Sequence, residues 1–172
     1  MKPYVRGKSI FLREVSIEDA EFIVNLRNDP VKSKYISYTS SDINNQKEFI
    51  INYNKSINDF YFIICDWKFN PLGTIRIYDI IDESFCWGSW IISDNAPLNT
   101  AIESALLIYD FGFYALHYSN SHFDVKKENK RVLQFHQRFG AIIVGEDDLN
   151  YYFNYTRDNY LEARKKYQKF LR

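Results

Sequence analysis

The chain has 172 residues, 46% hydrophobic and 26% charged, which fits one globular domain able to bury a core without disulfide or metal. Lys plus Arg and Asp plus Glu both number 22, so the formal net charge is zero. A protein that lives on phosphate backbones carries a basic excess, so nucleic-acid binding is disfavoured.

In chain order, the first strand is expected at Ser9–Arg13. Ser16 before Ile17-Glu18-Asp19-Ala20 suits a helix N-cap with an acidic first turn, and Ile17, Ala20, Ile23, Val24 and Leu26 form a helical stripe. Asn28-Asp29-Pro30 ends that helix, because the residue before Pro avoids the α region. Residues 31–45 read as a polar loop carrying Tyr35 and Tyr38, and Gln46–Asn54 as a short second helix. Tyr61–Cys65, Thr74–Tyr78 and Phe85–Ile92 read as strands, with Asn70-Pro71-Leu72-Gly73 as turn chemistry. Gly88 inside the third of these marks a bulge or a close backbone approach.

The longest helix is expected from Thr100 to Leu116, where Thr100 and Glu103 have capping-box spacing. Ser121–Val125 reads as a strand, Asn129–Phe139 as a helix closed by Gly140, and Ala141–Val144 and Tyr151–Tyr155 as strands. The tail from Arg157 reads as a basic helix, with six Lys or Arg against two Asp or Glu. The expected architecture is one mixed α/β (α+β) domain around a central sheet, with a core over about 8–156 and a helical extension over 157–172.

Cys65 and Cys86 sit in apolar stretches and read as core thiols of a reducing compartment. With three His they form no zinc pattern, and no metal is expected. The N-terminus lacks the apolar run of a signal peptide, and the longest apolar run, Phe60–Cys65, is too short to span a bilayer. A cytoplasmic protein is expected.

Two segments can carry chemistry. From Trp90 to Glu103 a strand leads through a short loop into the long helix, whose free N–H groups offer an anion site. Every strand–loop–helix unit has such a start, so the pattern alone reads first as a plain crossover. In the helix after Asn129, Asn129 and His136 lie seven residues apart, about 20° from one face and roughly 10 Å along the axis. Asn129 also reads as a plain N-cap, and His136 as a locally bonded side chain.

The chain resembles the GCN5-related N-acetyltransferase (GNAT) superfamily over roughly residues 8–156. The marks are Phe11-Leu12-Arg13 with Glu18-Asp19-Ala20, Leu26-Arg27-Asn28-Asp29-Pro30, Leu72-Gly73-Thr74-Ile75, Gly88-Ser89-Trp90-Ile91, Ala101–Leu106, and Asn129 through Phe135-His136 to Gly140. It looks nearest to the branch of ribosomal-protein N-terminal and nucleotide-amino-sugar acetyltransferases. The resemblance implies a mixed, mostly antiparallel sheet flanked by helices and acetyl-CoA as donor. Trp90, Ile91 and Ile92 would pair with the pantetheine arm, and Leu98, Asn99, Thr100 and Ala101 would hold the pyrophosphate. Asn129 would contact the cofactor, and His136, where the family usually has Tyr, would protonate the thiolate.

The sequence departs from the family twice. The phosphate loop has lost its glycines, with Asn99 as a substitute able to take positive φ. Cys86 stands where several members have a Glu, leaving Glu83 as the base candidate. A missing base suits a weakly basic amine more than a lysine. The acceptor side is expected from Tyr35, Tyr38, Trp87 and Ser89, whose rings suit a sugar or nucleotide. The expected acceptor is thus a small-molecule or peptide amine, leaning to an amino sugar or nucleotide-linked amino sugar. A protein N-terminus and a catalytically inactive acyl-CoA-binding module are the alternatives, and a homodimer stays open.

Overall fold

The computed structural model describes residues 4–54 and 56–171. Eight strands form one sheet: β1 (Val5–Arg6), β2 (Ile10–Glu14), β3 (Phe60–Asp66), β4 (Pro71–Ile81), β5 (Ser84–Ile92), β6 (Asn120–Lys126), β7 (Ile142–Glu146) and β8 (Asn150–Thr156). Their order is β1-β2-β3-β4-β5-β6-β8-β7, and every pair is antiparallel except β5 and β6. The helices are α1 (Ala20–Arg27), α2 (Ile43–Tyr53), α3 (Thr100–Asp110), α4 (Lys130–Arg138) and α5 (Arg157–Lys166). The mixed sheet flanked by helices is the architecture expected from the sequence.

Period-two alternation sorts the core into two layers. Ile10, Leu12, Phe62 and Ile64 face α3, α4 and α5, whereas Phe11, Tyr61, Ile63 and Cys65 face α1 and α2. Strand β3 is buried on both sides, which explains its continuous apolar run. Tyr160 of α5 is in the core and donates to Leu106 O at 3.1 Å and Asp110 Oδ1 at 2.6 Å, so the tail helix packs on α3.

Several local expectations need correction. The turn before β4 is Asp66–Asn70, held by Asp66 Oδ1 accepting from Lys68 N and Asn70 N, and Pro71–Gly73 already belong to the strand. Helix α2 starts earlier, at Ile43, because Asp42 caps it by accepting from Asn44 N at 2.9 Å. A 3-10 turn, Lys32–Tyr35, interrupts the loop before it. Thr100 and Glu103 form no capping box. Glu103 is fully buried and instead accepts from Ser9 N at 2.8 Å and Ile10 N at 3.2 Å, tying α3 to β2. Helix α3 ends in a widened π turn, Phe111–Ala115. Both cysteines are free and buried.

Candidate active site

The one parallel junction builds the site. Strands β5 and β6 pair only at Ser84↔Asn120 and Phe85↔Ser121, then diverge, so the edge of β5 from Trp87 to Ile92 faces a gap. Opposite that gap, Arg76 pairs with Gly88 and Thr74 with Ile91, leaving one extra residue on β5 at Ser89–Trp90. Ser89 carries it with φ of 47°, and its carbonyl accepts from Thr74 Oγ1 at 2.6 Å. The bulge resets the alternation. Trp87 and Trp90, three apart, therefore turn to the same layer, with rings 5.2 Å apart, and Trp90 packs at a tilt against Phe135 of α4 at 4.9 Å.

Beyond the bulge, the end of β5, residues 93–99 and the first turn of α3 face α4 across a groove of 490 Å³. Trp90, Ile92, Val132 and Phe135 give it an apolar floor, and Arg131 and Arg138 of α4 add two cations. Lys32 reaches its rim and pairs with Asp94 at 2.6 Å. The loop makes its turn without positive φ: Asn99 sits at −81°, which corrects the expectation that it replaces glycine conformationally. Thr100 N–H is bonded to Pro97 O at 2.9 Å. The N–H groups of Leu98, Asn99, Ala101 and Ile102 meet no protein acceptor among the described residues, and buried Thr100 Oγ1 has no partner. Unpaired donors at a helix start, two arginines and an apolar trough fit a diphosphate with a pantetheine tail.

A second cavity, of 430 Å³, fills the gap itself, lined by Tyr35, Trp87, Gly88, Ser89, Asn129 and His136 among others. Asn129 caps α4 by accepting from Val132 N, and it also lines this cavity, not the groove. His136 is 5% exposed, packed against Phe123 at 4.3 Å and Trp87 at 5.6 Å, with Nδ1 buried and unpartnered. Burial pushes its pKa down to about 3, because nothing there offsets loss of hydration of the imidazolium. His136 is therefore neutral near pH 7, which corrects the expectation of an imidazolium acid. Cys86 also lines the cavity, and burial pushes its thiol up to about 12, so it is no thiolate nucleophile.

A third cavity, of 250 Å³, lies on the α1–α2 side of the sheet. It shares Arg27, Ser37 and Ser89 with the second and adds Tyr38, Gln46, Phe49, Tyr61 and Arg76. Tyr38 is 92% exposed at its rim. Arg76 is ion-paired with Asp59 and ringed by Phe49, Tyr61 and Tyr78.

Of the residues singled out in the sequence, Trp90, Ile91, Ile92, Leu98 and Ala101 line the groove, and Asn99 and Thr100 belong to its loop. Tyr35, Trp87, Ser89, Asn129 and His136 gather at the gap, and Tyr38 lines the third cavity. Glu83 is not among them. It is exposed in the β4–β5 turn, bonded to Ser119 Oγ at 3.1 Å, at the end of β5 where the strands are still paired. The gap opens toward the other end, so Glu83 lines none of the three cavities. The sequence reading missed Arg27, Asp124, Arg131 and Arg138. The last two, seven apart and flanking Gln134 and Phe135, carried a helical-face signal. Arg27 stood in a quoted mark, and Asp124 carried no local signal.

The acetyltransferase (GNAT) domain family matches residues 9–142. The chain is 41% identical to FdhC in its apo form, a nucleotide-linked sugar GNAT, over 98% of both chains with a TM-score of 0.89. It shares its fold with a spermidine N-acetyltransferase from Vibrio cholerae in complex with CoA and spermine, at 20% identity, TM-score 0.76, over 89% of this chain and 98% of that one. A GNAT-family acetyltransferase from Bacillus anthracis is 16% identical over 90% and 98%, with the same TM-score of 0.76. No curated protein matches the chain. The chain belongs to the GNAT acetyltransferase family. It is an acetyl-CoA-dependent N-acetyltransferase.

Proposed function

We propose that the acceptor is an amino sugar carried on a nucleotide. The observation that carries this reading is the gap between β5 and β6, which joins the groove on one side to a cavity lined by rings, hydroxyls and an arginine on the other. Rings stack on sugar and base faces, and hydroxyls and amides match sugar hydroxyls. The similarity to a nucleotide-linked sugar GNAT along nearly the whole chain supports the same choice.

Acetyl-CoA, bound in the groove, supplies an acetyl group on a thioester. The loop N–H groups and Thr100, with Arg131 and Arg138, hold its phosphates, and Trp90, Ile92 and Phe135 hold its apolar arm. The strained backbone at Ser89 turns β5 beside the gap, where a backbone N–H of the bulge would donate to the thioester's carbonyl oxygen. The neutral acceptor amine attacks directly; the N–C bond forms, the C–S bond breaks, and the amine proton leaves to solvent or sulfur. Neutral His136 donates an N–H to the sulfur as charge develops there, without giving up a proton as imidazolium. A direct path is favoured over an acetyl-enzyme on Cys86, whose thiol stays protonated.

The test is release of CoA thiol from acetyl-CoA in the presence of nucleotide-linked amino sugars, with calorimetric titration of CoA alongside. Micromolar CoA binding and acceptor-dependent thiol release are expected. Absence of heat on adding CoA, or turnover of peptide N-termini in preference to amino sugars, overturns the reading.

A further inference from the structure

The two acceptor cavities are electrically asymmetric. Arg27 lies where they join. Its Nε donates to Thr39 Oγ1 at 2.5 Å and its Nη2 to Ser37 Oγ at 3.0 Å, both neutral partners. It has no carboxylate partner among the described residues, and the Tyr61 hydroxyl beside its guanidinium is a third neutral neighbour. The other arginine there, Arg76, is neutralised by Asp59. Gln46 is 7% exposed, lines the same cavity, and its amide finds no protein partner among the described residues.

On the gap side, Asp124 of β6 is the single carboxylate among the residues lining either cavity. It makes no ion pair or hydrogen bond among the described residues, and Lys126, on the same wall, does not pair with it. A guanidinium held by neutral groups is completed by an anion it can grip with two parallel N–H groups. A lone carboxylate beside the reacting gap is completed by an ammonium.

We infer that the acceptor is zwitterionic: its amine is held by Asp124 at the gap and its phosphate or diphosphate by Arg27 and Gln46. This rests on the amino-sugar reading and deepens it. It selects phosphate-bearing amino sugars over free ones, and it rejects polyamines, whose remaining cations would meet Arg27. Asp124 holds the ammonium beside the thioester; the ammonium gives one proton to solvent, and the neutral amine attacks while Asp124 accepts a hydrogen bond from an N–H that remains. Arg27 acts on specificity alone.

The experiment measures thiol release with hexosamines bearing the amine at C2, C3 or C4. Each is tested free and as its uridine diphosphate ester, with spermidine as a further acceptor. At the position used, the ester is expected to exceed the free sugar in kcat/KM by about 100-fold or more, and spermidine to give no turnover. Arg27→Gln is expected to reduce the ester-to-free ratio below about tenfold, and Asp124→Asn to lower kcat/KM for the ester by about 10- to 100-fold. Both variants are expected to keep the acetyl-CoA Kd within about twofold of wild type, which excludes misfolding as the cause. Equal use of free and esterified sugar, or equal loss on both in Arg27→Gln, overturns the inference while the amino-sugar reading stands. Spermidine as the preferred acceptor overturns both and leaves an N-acetyltransferase. No thiol release with any amine also overturns both.

Discussion

His136 illustrates how a residue's surroundings decide its chemistry. Its place on α4 puts it at the gap, but Phe123, Phe153, Phe135 and Trp87 surround it, and burial holds its pKa at about 3. A histidine buried neutral binds fewer protons folded than unfolded. It therefore gives stability that is present above its unfolded pKa of about 6.5 and is lost as pH falls toward 3. The slope from this group is roughly 1.4 kcal/mol per pH unit below pH 6.5. Comparing urea midpoints of wild type and His136→Leu at pH 7.5, 6.0 and 5.0 checks this: the variant should gain on wild type as the pH drops. In activity, His136→Phe should lower kcat roughly five- to tenfold, the size of one neutral hydrogen bond. KM for acetyl-CoA should move less; unchanged kcat removes His136 from the reaction.

Among the elements, two of the motif stretches turn out to be structural. Arg13 of β2 and Asp19, just before α1, form a buried two-bond ion pair at 2.7 Å each, and Asp19 also accepts from Ser16 N at 2.8 Å. Together they fix the first helix on the sheet. Arg13→Ala strands the carboxylate and should cost roughly 3–5 kcal/mol by denaturant unfolding. The double variant Arg13→Leu, Asp19→Leu should recover most of that, because no buried charge is left. Gly112, in the π turn after α3, shows a different constraint: a Cβ there would clash with the Cζ end of the Phe85 ring. Phe85 is the last residue of β5 paired with β6, so Gly112→Ala presses on the hinge of the gap. It should lower stability by roughly 1–3 kcal/mol and weaken CoA binding, read by thermal melting and calorimetry.

On the scale of the molecule, α5 completes the core. Tyr160 and Ala163 are buried, Tyr167 stacks on Phe139 at 5.1 Å, and Arg164 pairs with Asp110 of α3 at 2.8 Å. Ending the chain at Thr156 would uncover that face of α3 and α4, and the shortened protein should lose its cooperative thermal transition. If it melts as wild type does, the tail is dispensable to the core. The zero net charge of the whole chain hides local imbalance: Arg131 and Arg138 crowd one groove, while Asp124 is the single carboxylate lining the other two cavities and Arg27 lines both of them.

What the sequence determined by itself is what short-range periodicity encodes. The buried run of β3, the stripe on α1 and the cap at Asn129 can all be read within a dozen residues, because alternation and helical spacing are local. The mixed, mostly antiparallel character of the sheet came with the family resemblance; the spatial order of the strands and the side of each helix came from the structure. The free N–H groups before and at the start of α3 were legible too, since helix starts carry unpaired donors wherever they occur. Tertiary structure alone decided the rest. Glu83 and Asp124 look alike along the chain, and only the divergence of β5 from β6 leaves one outside the cavities and brings the other in. Rings drawn from three strands bury His136 and disfavour its imidazolium, and Arg27 is left without a carboxylate partner by the packing around it. Charge state and pairing depend on neighbours distant in sequence, and solvation is settled only when those neighbours close around the group.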